Sequence, residues 1–177
     1  MATTSLPTSQ QLDWSGNALL VQDVVATGTI YQGTPASNAG STYSASLTAD
    51  NGKTIYLNAL AGSVVTLPAL ATTGSGAKIR FLVSVLATSA SHKIQVANGT
   101  DVMAGVVSMV DTDTAGTITG FATASTSDTI TLNRTTTGSV TKGEWIEVED
   151  IGGKIWAVRG VLSNSGDGAT PFSAAVS

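Results

Sequence analysis

The sequence predicts an all-β protein, and three observations carry that prediction. Thr and Val recur along the chain, whereas the helix-favouring residues Glu, Lys, Arg and Gln are sparse. Gly and Asn separate short apolar runs throughout, which is typical of many short strands joined by turns. Residues 13–25 come nearest to an amphipathic helix, and Gly16 weakens that interpretation. We therefore expect a two-sheet β-sandwich that is jelly-roll-like.

Residues 77–86 form the clearest predicted strand, because apolar residues alternate with polar ones. A period of two places the alternating set on one face of a sheet, towards a core. The predicted core set is Ile79, Phe81, Val83 and Val85.

Further short strands are predicted on both sides of this one. Pro68 lacks a backbone donor, so the strand before it ends there or lies at an edge. Asn98-Gly99 is a strong turn signal that closes another strand. The predicted strands cover residues 54–57, 64–67, 93–97, 105–110, 117–121 and 129–133.

Residues 144–162 contain the predicted C-terminal hairpin. Gly152-Gly153 has the composition of a two-residue hairpin loop. With that loop, Val148 lies opposite Ala157 and Glu147 lies opposite Val158. Both faces then mix apolar with charged residues, so the pattern leaves open which face is core.

The two ends of the chain differ in composition from the middle. Residues 1–17 and 163–177 are rich in small and polar residues, and each stretch holds isolated large apolar side chains. Polar arms with single hydrophobic anchors suit a chain that lies across a neighbouring subunit. We therefore expect an N-terminal arm, a sandwich domain at 18–162 and a C-terminal tail. The predicted interface anchors are Leu6, Leu12, Trp14 and Phe172.

Composition excludes several classes of protein. The chain has no cysteine, so disulfides and thiolate metal sites are absent. The net charge is −4 and the eight Lys and Arg are scattered, which argues against direct nucleic-acid binding. Residues 1–11 contain no apolar run, so we expect no secretion signal, no membrane insertion and synthesis in a cytoplasm. Charged residues make up only 11%, which favours a surface partly covered by partner subunits.

Candidate catalytic and metal-binding residues form no familiar pattern. His92 is the only histidine, and we interpret it as a loop or strand-edge residue. Glu144, Glu147 and Glu149 are predicted to lie on one strand, with Glu147 and Glu149 on the same face, and such acids are usually a solvated face rather than a glycosidase pair. We therefore predict no enzymatic activity and no cofactor.

Two shorter motifs also fail as ligand sites. Gly52-Lys53-Thr54 resembles the end of a phosphate-binding loop, but position 47 is Leu where that motif requires Gly. Asp111-Thr112-Asp113 lacks the further oxygen ligands and the closing Glu of a calcium loop. Both motifs are predicted to be turns.

The order of features between residues 50 and 162 resembles a module of tailed-bacteriophage virion proteins. It runs GKTIYLN, GSVVTLPAL and GAKIRFLV from Gly52 onwards, followed by a glycine turn and a strand that carries Trp156. The resemblance implies a β-sandwich subunit that decorates capsids or forms tail parts, with no catalytic residues.

From this resemblance we expect a head decoration (cement) protein on the capsid exterior, assembled in the host cytoplasm. The major capsid protein would be its partner, and a homo-trimer is implied because capsids offer three-fold sites. The alternative is a tail-associated or receptor-binding module that recognises carbohydrate.

Overall fold

The structure is a computed structural model that describes residues 36–176, and this part of the chain contains twelve strands and no helix. The prediction of an all-β protein is confirmed. The strands are β1 (Ala36–Asn38), β2 (Thr42–Ser44), β3 (Thr54–Leu57), β4 (Val64–Thr66), β5 (Lys78–Val83), β6 (His92–Gln95), β7 (Val102–Asp111), β8 (Ile118–Ala122), β9 (Thr129–Leu132), β10 (Trp145–Asp150), β11 (Ile155–Asn164) and β12 (Phe172–Ser173).

Two mixed sheets pack face to face, which confirms the predicted β-sandwich. The seven-stranded sheet has the order β1-β3-β5-β10-β11-β7-β8, and the five-stranded sheet has the order β12-β9-β6-β4-β2. Along each inward-facing strand, buried apolar residues alternate with more exposed ones, as in β5 and β10.

The connectivity differs from the jelly roll that we expected. The first six strands alternate between the two sheets, and neighbours within each sheet run parallel. A jelly roll is built from antiparallel Greek keys. Parallel neighbours need a crossover connection, and here the crossover is a strand of the opposite sheet rather than a helix. Each successive pair of these six strands therefore contributes one strand to each sheet, and the core lies between the two sheets.

The alternation of β5 is confirmed by burial. Phe81 is 1% exposed, and Ile79 and Val83 are equally buried in the common core. Val85 lies beyond the end of the strand and is only half-buried, because the backbone leaves the sheet after Val83.

The hairpin of β10 and β11 has a register one residue away from the predicted one. Val148 pairs with Val158, not Ala157, and Glu147 pairs with Arg159, not Val158. The cause is the loop, which comprises residues 151–154 and includes Lys154 with a positive φ of 63°. A shift of one residue exchanges the faces of a strand. In the observed register Ile146, Val148, Trp156 and Val158 all face the core.

The C-terminal tail belongs to the sandwich, which corrects the expectation of an arm at residues 163–177. β11 continues to Asn164, and β12 pairs antiparallel with β9. Phe172 is 8% exposed and lies in the core of its own chain. Asp128 accepts hydrogen bonds from the N–H groups of Ala175 and Val176. A side chain that is buried in its own domain is not free to anchor a partner.

The predicted N-terminal arm, with Leu6, Leu12 and Trp14, lies outside the described residues. So does the first part of the predicted sandwich domain, residues 18–35.

Candidate interaction surface

The outer face of the seven-stranded sheet brings together cations that are far apart in the sequence. Lys78 and Arg80 project from β5, and Arg159 projects from β11 on the other side of β10. Lys53, Lys78 and Arg80 line a shallow depression, which has a volume of about 290 Å³. We call Lys53, Lys78, Arg80 and Arg159 the basic face, and it holds four of the eight Lys and Arg of the chain.

Two carboxylates of β10 lie between these cations. Glu147 pairs with Arg80 at 3.3 Å and approaches Arg159 at 3.9 Å, from oxygen to nitrogen. Glu149 pairs with Arg159 at 2.7 Å and with Lys78 at 3.5 Å. The strand register opposes Arg80, Glu147 and Arg159 in one row, so the alternation of charges follows from the sheet itself.

The acids are recessed beneath the cations. The side chains of Glu147 and Glu149 are 20% exposed, whereas those of Lys78, Arg80 and Arg159 are 48–52% exposed. Solvent and any partner therefore meet mainly positive charge, on a chain whose net charge is −4. Exposed ion pairs add only about 0–1 kcal/mol each to stability, so the cluster contributes little to folding.

Trp145 supports one member of the basic face. The guanidinium carbon of Arg80 lies 4.8 Å from the centre of the Trp145 ring, within the range of a cation–π contact. The ring is half-buried between Leu82 and Val161 of the neighbouring strands. The contact restricts Arg80 to an outward orientation over the sheet.

The same outer face becomes apolar towards the far side of the sheet. We call this region the apolar edge. It comprises the exposed side chains of Val106, Val110, Ile118 and Val161. The register aligns Val110 with Ile118 and Val106 with Arg159, so these residues lie on the same face of β7, β8 and β11, next to the basic face.

Glu144 differs from the other two acids because its side chain is buried. Its carboxylate accepts hydrogen bonds from three successive backbone N–H groups, those of residues 139–141, at 2.6–2.7 Å. The hydroxyl of Ser163 donates a fourth bond. All three acids of the sequence pattern thus have partners: Glu144 stabilises a loop, while Glu147 and Glu149 hold the basic face.

The sequence interpretation of His92 as a loop or strand-edge residue did not include the burial that the structure shows. His92 is the first residue of β6, and its Nδ1 accepts a hydrogen bond of 2.9 Å from the Ser63 N–H. Its Nε2 lies 2.9 Å from the carbonyl of Val85 and donates to it. Burial lowers the pKa of His92, although the Val85 carbonyl and the charge of Glu144 act in the opposite direction. The imidazole is therefore a neutral cross-link inside the sandwich.

Because its folded-state pKa is lowered, His92 makes stability depend on pH. The unfolded chain takes up a proton below about pH 6.5 and the folded chain resists it, so stability is full above that pH and falls below it. We expect urea unfolding at pH 5.0 to show lower stability than at pH 7.5. His92→Asn, which keeps an acceptor near Ser63, should be less stable at pH 7.5 but should lose most of this difference. Since His92 is the only histidine, an unchanged pH dependence in the variant would contradict this role.

The turn interpretation of Gly52 is confirmed, whereas Asp111 is the last residue of β7 and only Thr112 and Asp113 lie in the bend that follows. Gly52 has a φ of 74° in the turn before β3, where the N–H of Lys53 donates to the Asp50 carbonyl. Asp111 accepts from the backbone of residues 113 and 114, and Asp113 accepts from the Gly166 N–H at 2.6 Å. Within residues 36–176 no group of three or more His, Cys, Asp or Glu is placed to hold a metal ion. No helix in that range is long and apolar enough to cross a membrane.

Comparisons with known proteins give no relative for this chain: no family model, no curated protein and no solved structure matches it. The basic face was missed by the sequence reasoning, because its members are brought together only by the pairing of β3, β5, β10 and β11. A partial signal was present in the closely spaced Lys78 and Arg80.

Proposed function

We propose that the chain is a non-enzymatic virion structural protein. In this proposal it binds the outer surface of a tailed-phage capsid and stabilises contacts between capsid subunits. The resemblance of residues 50–162 to virion modules supports this assignment, and so does the β-sandwich fold. The major capsid protein is the proposed partner, and a homo-trimer is the proposed form on the particle.

The basic face is the observation that carries the proposal. Half of the cations of an acidic chain are collected on one flat sheet face, and their acidic partners are recessed. Such a surface complements an acidic protein surface, and complementary charge sets the orientation and rate of docking. The cations span the width of β3, β5, β10 and β11, and the depression at Lys53 is shallow, so the face suits a large protein partner better than a small ligand.

Rebinding to particles tests the basic face directly. Particles stripped of the protein are incubated with recombinant chain and sedimented, and the bound copies are counted. The double variant Arg80→Gln, Arg159→Gln should bind at least about tenfold less, because it removes half of the charge of this face. The matched control is Lys93→Gln, which removes an exposed cation of β6 in the other sheet. Equal binding of the double variant and the control would contradict docking through the basic face.

The N-terminal arm gives a second expected effect. Residues 1–17 carry Leu6, Leu12 and Trp14 among polar residues, and an aromatic anchor that is buried against a neighbour contributes strongly to binding. Deletion of residues 1–17 should leave the sandwich folded and weaken trimer formation or capsid attachment. Trp14→Ala should do the same more mildly. A large fall in melting temperature of dilute Trp14→Ala, with particle binding retained, would instead place Trp14 in the core of its own chain.

A further inference from the structure

β8 is the last strand of the seven-stranded sheet, and one side of its backbone has no partner among the described residues. The N–H of Thr123 donates to Gly105, and the carbonyl of Thr117 accepts from Asp111. Backbone groups of successive strand residues point to opposite sides, so odd-numbered residues of β8 bond to β7. The N–H and C=O groups of Ile118, Gly120 and Ala122 therefore point away from the sheet.

Among residues 36–176 no loop, strand, proline or charged side chain of β8 protects this edge. Proteins guard edge strands with charged side chains, proline, bulges or a covering loop. β8 has the sequence ITGFA, with no charge and no proline, and Ile118 is 66% exposed. The unprotected backbone is continuous with the apolar edge on the outer face. Both features are typical of a strand that pairs with another chain.

We propose that the occupant is β8 of a second copy, in an antiparallel pair with a two-fold axis at Gly120. The outward-pointing backbone groups of β8 are spaced so that Ile118 pairs with Ala122 of the partner subunit. Gly120 then pairs with Gly120 of the partner subunit. These pairings exchange backbone hydrogen bonds at every outward-pointing residue of the strand. The large side chain of Ile118 then covers a small one, so the strand is complementary to itself, as a two-fold interface requires.

Charge favours the antiparallel arrangement. The nearest acids, Asp111 at the end of β7 and Asp113 in the turn that follows, lie near Ile118, whereas the other end of β8 continues into the neutral stretch 123–127. An antiparallel pair places the two acidic turns at opposite ends, whereas a parallel pair would bring them together. The two-fold axis is normal to the sheet, so both basic faces point to the same side.

Substitution of Gly120 tests this arrangement, because the residue lies on the proposed axis. No atom lies within 4 Å of a Cβ placed there, so a single copy accommodates a side chain. Gly120→Lys and Gly120→Glu each oppose two like charges in the pair, and each should weaken self-association at least about tenfold. A mixture of the two variants opposes Lys to Glu and should associate again. Sedimentation velocity of the full-length chain over a concentration series measures all three samples.

A matched control and an independent readout complete the design. Leu60→Lys adds the same charge at a site that is 60% exposed and outside β8, and it should leave association unchanged. In the wild type, amide exchange at Ile118, Gly120 and Ala122 should slow as the protein concentration rises. β8 has only five residues, so we expect association in the micromolar range.

Three outcomes would overturn the pairing. The first is a wild-type chain that stays a single copy at every concentration. The second is an oligomer, a trimer included, whose mass neither Gly120 variant changes. The third is a mixture of Gly120→Lys and Gly120→Glu that associates no better than either variant alone. None of these measurements involves a capsid, so failure of the strand pairing can be distinguished from failure of the proposed capsid binding.

Discussion

Phe81→Ala is expected to lower the free energy of unfolding by about 3–5 kcal/mol, the usual cost of removing a buried aromatic side chain. Phe81 lies in the middle of the seven-stranded sheet, paired with Ile55 on one side and Ile146 on the other. All three side chains are fully buried. Removal of the ring would therefore leave a cavity among apolar groups that solvent does not reach. Urea unfolding at pH 7.5 measures the change.

The control for this substitution is Leu60→Ala. Leu60 is large and apolar but exposed, so its truncation should change stability by less than about 0.5 kcal/mol. A loss below about 1 kcal/mol for Phe81→Ala would mean that β5 faces the other way, contrary to the core described above.

Glu144→Ala is expected to cost about 3 kcal/mol, because the buried N–H of Ser139 and the part-buried N–H groups of the next two residues would lose a charged acceptor, at about 1–3 kcal/mol for the buried one and less for the other two. The carboxylate holds the loop at residues 138–141 against the start of β10, and Ser163 of β11 completes the arrangement. The loss should appear in urea unfolding without a change in secondary structure by circular dichroism.

Glu147→Ala is the matched control for this second substitution. Glu147 is an acid of β10, three residues after Glu144, but its ion pairs lie at the surface, so removal should cost about 1 kcal/mol or less. If the two variants lost equal stability, the hydrogen bonds that Glu144 accepts would not have the structural role assigned here.

Local pattern was sufficient to predict nine of the twelve strands, whereas β1, β2 and β12 were not predicted. The alternation around Phe81 identified β5 and its buried face, and the turn signal at Asn98-Gly99 is fulfilled by the Asn98 side chain, which accepts from the backbone of residues 100 and 101. These features depend on residues that are close in sequence, so the local sequence pattern is enough to predict them.

The hairpin register shows where such reasoning fails. The glycine pair suggested a two-residue loop, but Ile151 and Lys154 also belong to the loop. Lys154 adopts a positive φ, which the sequence did not predict. The predicted register was wrong by one residue, so it placed apolar and charged residues on the same face of the hairpin. The observed register separates them, with Val148 and Val158 inside and Glu147 and Arg159 outside. The mixed faces were themselves the signal that the register was wrong.

Long-range features could not be predicted from local pattern. The parallel coil of β1–β6 requires knowledge of which strands share a sheet, and the basic face depends on the same pairing. Phe172 was misjudged because a lone aromatic in a polar stretch has the same local pattern in an arm and in a two-residue edge strand. Its burial depends on β9, which lies about forty residues earlier in the chain.

The copy number of the chain in purified virus particles tests the central proposal most directly. Quantitative mass spectrometry of particles, referenced to the major capsid protein, gives this number. A head decoration protein predicts hundreds of copies per particle, in a fixed ratio to the capsid protein. A handful of copies would favour the tail-associated or receptor-binding alternative, and absence from the particle would contradict the proposed virion function.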